Sequence, residues 1–137
     1  MTDVKTFRRA CHEAARRTGG ALTEFRISHG PTPNFHQGII AHPDRTAAVV
    51  GVRDIPLLAI AEPRLIEFGP ARESGPLTFL DRPDLAAALA RMAGFRLLST
   101  DELRGPVDPA QWPHLSRQDL RYRQPRTLGE ALFHYGD

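Results

Sequence analysis

The sequence predicts an α+β fold: an antiparallel β-meander of about five or six strands with an N-terminal helix, a central helix and short C-terminal helices. Three observations predict it. Apolar residues recur at helical spacing at the start of the chain, and strand-like segments then follow one another from 21 to 81 with no helix between them. Helix-start signals return after Asp81.

Residues 3–17 form the first helix. Asp3 is placed to cap it, Val4, Phe7, Cys11 and Ala14 share a face, and Gly19-Gly20 stops it. ALTEFRIS (21–28) alternates, with Phe25 and Ile27 on one side and Glu24, Arg26 and Ser28 on the other, as in a half-buried strand. HGPTPN (29–34) is a loop of chain breakers. FHQGIIA and TAAVVGVR are joined by HPDR, whose Pro and Asp suit the two central positions of a type I turn, so a hairpin is expected. PLLAIAEP (56–63) is a continuous apolar run of the kind found in a strand buried on both faces. LIEF (65–68) adds a short piece, and PLTFLD (76–81) a further strand.

Asp81 as N-cap, Pro83 in the first turn and Asp84 announce the central helix, with Leu85, Ala88, Leu89 and Met92 as its buried stripe and Gly94 as its end. FRLL (95–98) reads as a last strand. Three short helical starts follow at Ser99 with Glu102, Ser116 with Asp119, and Thr127 with Glu130, the first and last as capping boxes. The N-terminal and central helices are expected to cover one face of the sheet, and the C-terminal helices to wrap an edge. Strands in immediate succession leave no room for βαβ crossovers, and neither G-x-G-x-x-G nor a P-loop occurs.

With 137 residues and no tract that reads as a linker, the chain is expected to be a single domain, 1–137. Its 41% hydrophobic and 25% charged content is that of a globular protein, and no apolar run approaches the roughly 20 residues of a membrane helix. The charged, periodic start resembles no signal peptide, so a cytoplasmic location is expected. Cys11 is the only cysteine, which rules out an intrachain disulfide and a thiolate zinc finger; at its place on the apolar face it is expected to be a small buried hydrophobe.

Of the 18 basic residues only Lys5 is lysine, and the cations gather at the two ends. Lys5, Arg8, Arg9, Arg16 and Arg17 outnumber Asp3 and Glu13 in the first helix; Arg117, Arg121, Arg123 and Arg126 face only Asp119 near the other end. Should these ends meet in space, they form one patch of positive potential.

The chemistry on offer is sparse. His36 and His42, six residues apart, point to the same side of a straight strand but root about 20 Å apart at roughly 3.3 Å per residue. With Asp44 they would make a metal or catalytic site only if Gly38 folded the strand sharply, and a hairpin is the expected reading. No serine lies in a G-x-S-x-G elbow; Ser99 and Ser116 have cap roles, and Asp101-Glu102 suits the first turn of a helix. No cofactor is implied.

The most suggestive polar stretch is HLSRQDLRYRQPR. Arg117 and Arg121 share a helical face, and Tyr122, Arg123 and Arg126 adjoin them, a set suited to an acidic protein partner, to phosphate contact with base stacking, or to salt bridges within the chain. Trp112, framed by the loop AQWPH, is a core lid or an interface anchor. In LGEALFHYGD, Leu128, Ala131, Leu132 and Tyr135 share a face while Phe133 points elsewhere, so that this helix is either packed between layers or part of a partner or homodimer contact. Together these features lead to a non-enzymatic macromolecule-binding module, protein-binding first, of the inhibitor, immunity or accessory-subunit kind. Weak nucleic-acid binding by the basic ends is the alternative, and a small enzyme or metal protein using His36, His42 and Asp44 the third reading.

Overall fold

The computed structural model describes residues 4–28, 34–53, 55–63, 77–92, 94–108, 110–112, 115, 118, 120–121 and 124–133. The expectations placed on Asp3, 65–68, Ser116, Arg117, Asp119, Tyr122, Arg123 and Tyr135 lie outside these residues.

The elements are α1 (Val4–Thr18), β1 (Ala21–Arg26), β2 (Phe35–His42), β3 (Arg45–Val52), β4 (Leu57–Ala61), α2 (Pro83–Ala90), β5 (Arg96–Leu97), α3 (Thr100–Arg104) and α4 (Leu128–Leu132). This is the α+β arrangement read from the sequence. The strands lie in the order β1-β2-β3-β4-β5, antiparallel from β1 to β4. The hairpin joins β2 to β3 through Pro43 and Asp44, with His42 paired to Arg45. Proline fixes a negative φ at the first turn position. Gln124 is the one described non-glycine residue with positive φ, so Asp44 does not complete a type II turn.

Period-2 alternation divides the core into two layers. On one face Ile40, Ala47, Val49, Leu58 and Ile60 meet Phe7, Cys11 and Ala14 of α1 and Leu85 and Leu89 of α2. On the other, Phe35, Ile39, Ala48, Val50 and Ala59 meet Leu98, Leu103, Trp112, Leu128, Leu132 and Phe133. The C-terminal segment therefore covers the second face rather than wrapping an edge. Asn34 fastens it there by donating from Nδ2 to the Leu132 carbonyl at 2.7 Å, and the Phe133 ring stands edge-on to Phe35 at 6.1 Å. The reason is visible in β3 and β4, apolar at nearly every position: a sheet greasy on both sides must be covered on both.

Close approach of α1 depends on two glycines. A Cβ at Gly38 would stand 2.6 Å from the Cys11 sulfur, and one at Gly51 2.8 Å from the Phe7 ring. Bare backbone at these neighbouring sites on β2 and β3 makes the hollows into which the helix seats its apolar face.

Several local expectations change. Of the strand expected over 76–81, the described part from Leu77 on makes a single antiparallel bridge, Phe79 to Ala61. The N-cap of α2 is Arg82, with no side-chain cap bond, because Pro83 occupies the first helical position. And β5 runs parallel to β4, α2 lying between them in the chain, so one βαβ connection does exist. The capping box at Ser99 and Glu102 is complete, whereas at Thr127 only the hydroxyl half forms and Glu130 accepts instead from the Arg126 amide.

Candidate functional site

The β2–β3 register runs one residue to one from Phe35–Val52 to His42–Arg45, without a bulge at Gly38; the sheet's irregularity sits in β1, between Leu22 and Glu24. His36 and His42 share a face at opposite ends of that straight strand. His36 is buried, its Nδ1 accepting from the Ser28 amide at 3.0 Å and its ring 5.7 Å from that of Phe7. Asp44 projects from the turn with its side chain 78% exposed. Among the described residues no group of three His, Cys, Asp or Glu side chains could hold a metal ion.

His42 belongs to a polar chain that joins three elements. Arg82 Nη2 donates to its Nδ1 at 3.2 Å, since a guanidinium can only donate. That leaves Nε2 as the donor to the Thr18 hydroxyl, 2.8 Å away, and the hydroxyl in turn donates to the Ala14 carbonyl at 2.9 Å. Arg82 Nη2 also reaches Asp84 Oδ2 at 3.3 Å. Burial would raise the Asp84 carboxyl, but the Leu85 amide and the Arg82 guanidinium outweigh it and hold it below the usual aspartate range.

Arg82 itself is 4% exposed, and its Nε and Nη1 are buried with no hydrogen-bond partner. Each such orphan donor costs about 1–3 kcal/mol. Nothing in the sequence marked Arg82 as buried, since an arginine before a helix ordinarily faces water.

Beside Arg82 lies a cleft of about 250 Å³ at the outer edge of β4. It arises because that edge has two half-partners. Leu98 donates to the Leu58 carbonyl on the parallel side, and Leu80 donates to the Ile60 carbonyl on the antiparallel side. The two segments diverge from the strand at this point, and α2 and α3 start from their ends. Ile60, Leu80, Leu97 and Leu103 give the cleft an apolar lining, with Asp81, Asp101 and Glu102 also on its wall.

A second feature is the outer face of α1. Lys5, Arg9, His12 and Arg16, at intervals of four, three and four, are all exposed. Arg16 and Arg17 both bond to Glu13, which their hydrogen bonds hold below the usual glutamate range. On the flank toward β1, half-buried Phe25 is boxed by the Arg8 guanidinium at 5.2 Å, the His12 ring at 5.6 Å and the Phe7 ring at 6.3 Å. β1 is the last strand on this side, and among the described strands only β2 pairs with it.

The C-terminal candidates divide. Arg121 and Arg126 are exposed, whereas Trp112 and Phe133 are 6% and 2% exposed and belong to the core of the second layer. Trp112 is the core lid, covered by the Arg96 guanidinium at 4.9 Å from its ring. Among the described residues, α1 packs on one face of the sheet and Leu128, Leu132 and Phe133 on the other. No protein-family model matches the chain, and no curated protein or solved structure matches it.

Proposed function

We propose that this chain is a non-enzymatic module that binds an acidic protein partner through the outer face of α1 and the open edge of β1. The observation that carries this reading is the position of the terminal strand β1 beside a helix face of exposed cations. An edge strand can accept a further strand through its main chain, and cations flanking the edge select an acidic one. The same cations oppose pairing of two copies edge to edge, because the stripe would face itself. Trp112 and Phe133 are left out of this interface, because both belong to the core of the second layer. The reading includes a cytoplasmic location, in keeping with a fold that relies on no disulfide and keeps Cys11 as a buried free thiol. No helix among the described residues is long and apolar enough to cross a membrane.

A phosphate backbone would also be drawn to the stripe, and the test separates the two. The full chain is used for affinity capture from its native lysate with and without nuclease, beside a Lys5→Glu/Arg9→Glu/Arg16→Glu variant. Recovery of one acidic protein that survives nuclease and is lost with the variant supports the proposal. Loss of every partner on nuclease treatment, or equal recovery by the variant, contradicts it.

A further inference from the structure

His36 is a titratable side chain sealed inside the fold, 2% exposed, on the face of β2 that α1 covers. We propose that it is a proton-sensitive latch. Neutral, it ties the chain just beyond β1 to β2 beneath α1; on taking up a proton below about pH 6 it lets that corner open.

The first observation is the direction of one hydrogen bond. A backbone amide nitrogen can only donate, so the Ser28 amide, 3.0 Å away, makes Nδ1 the acceptor. The ring is therefore neutral, with its proton on Nε2. A second proton has to go on Nδ1, where it meets the Ser28 N–H head-on. The bond is then lost, and two donors face each other in a place closed to water.

The second is what surrounds the ring. Phe7 of α1 lies 5.7 Å away, and its ring sits over Gly51, the residue of β3 that pairs with His36. Cys11, one turn further along α1, stands over Gly38, the next residue on the same face of β2. Among the described residues, the carboxylates of α1 and β1 are engaged elsewhere, Glu13 with Arg16 and Arg17 and Glu24 with Arg26. The cations are Arg8, which lies with His12 against Phe25, exposed Lys5 and Arg9, and Arg53 just after β3. β4 carries no charged residue, and His42, at the far end of β2, is held by Arg82 and Thr18. An imidazolium at His36 thus gains no counter-ion from the described carboxylates of α1 and β1.

The third is a path to the surface. The Phe7 ring also stands 6.3 Å from Phe25, so rings run from His36 through Phe7 to the residue that Arg8 and His12 box. Opening at His36 loosens Ser28, two residues past the end of β1, together with Phe7. Acid then dismantles the α1–β1 surface and frees its partner, a consequence that rests on the binding reading above.

The test uses the free full chain, so it judges the latch whatever becomes of that reading. Imidazole nitrogen NMR of the parent is expected to show His36 Nδ1 still unprotonated at about pH 6.5, where an ordinary histidine is half charged. Hydrogen exchange, corrected for the intrinsic effect of pH, should show Ser28 protection falling by up to about tenfold per pH unit between about pH 6 and 5. His36→Asn, whose Oδ1 can stand in for Nδ1 but takes no charge, should keep Ser28 protected throughout. His36→Phe should leave it poorly protected at both ends of the range. The nitrogen titration of the parent decides the matter even if neither variant folds. Charging of His36 at about pH 6.5 with the Ser28 amide still protected, or the same acid loss of protection in His36→Asn, would overturn the proposal.

Discussion

The sulfur of Cys11 occupies the hollow above Gly38, with so little room that a Cβ there would lie 2.6 Å from Sγ and 3.1 Å from the Cys11 Cβ. Helix α1 meets the sheet at this point, and its basic outer face is presented by that seating. Gly38→Ala is expected to destabilise the protein by about 1–3 kcal/mol, the usual cost of overpacking. Cys11→Ala/Gly38→Ala should cost less than the sum of the single changes, because the small partner relieves the clash. Denaturant midpoints of the four proteins measure the coupling; strict additivity would mean that the two residues do not meet.

Burial pushes the Cys11 thiol up from its ordinary pKa, and the side chain is wholly enclosed. A disulfide reagent added to the native protein at neutral pH should therefore react only as fast as the fold opens. Labelling that accelerates with denaturant in step with unfolding is the expected result. Rapid reaction of the native protein would show that α1 is not docked over β2.

Arg82→Ala is expected to lower stability by about 2–4 kcal/mol, since it empties a buried volume and leaves His42 without its donor. Arg82→Met should cost less than Arg82→Ala, because it keeps the space filled and removes the orphan Nε and Nη1 donors, while His42 loses its donor in both. Thermal melts of the two variants make the comparison.

The Ser99 amide first, and the Arg96 guanidinium as well, hold the Glu102 carboxyl below the usual glutamate range. A carboxyl lowered in the folded state stabilises above its unfolded pKa, and that contribution is lost as pH falls through the lowered folded value. The stability difference between the parent and Glu102→Gln should thus shrink as pH drops from neutral through and below the ordinary glutamate range. Ser99→Ala is expected to cost about 1 kcal/mol at neutral pH. Urea melts across that pH interval check both.

Most of the architecture could be read directly. Helix α1, the β2–β3 hairpin with its Pro-Asp turn, the doubly buried β4 and the Ser99–Glu102 box all follow from local pattern, which is where sequence speaks most plainly. What escaped was long-range. Only contact with β4 decides that residues 77–80 bridge its far end while β5 takes its near end, and no local signal predicts a shared edge. Burial of Arg82 escaped for the same reason, as its partner His42 lies on distant β2. Trp112 and Phe133 had two readings, and it is the apolar second face of the sheet that claims them for the core.

The docking proposal is tested most directly by amide hydrogen exchange on the complex with the captured acidic protein. The account predicts added protection along β1, at Ala21–Arg26, as the partner's strand pairs with its edge, while the amides of 124–133 exchange as in the free chain. Protection confined to 124–133, with β1 unchanged, would contradict it.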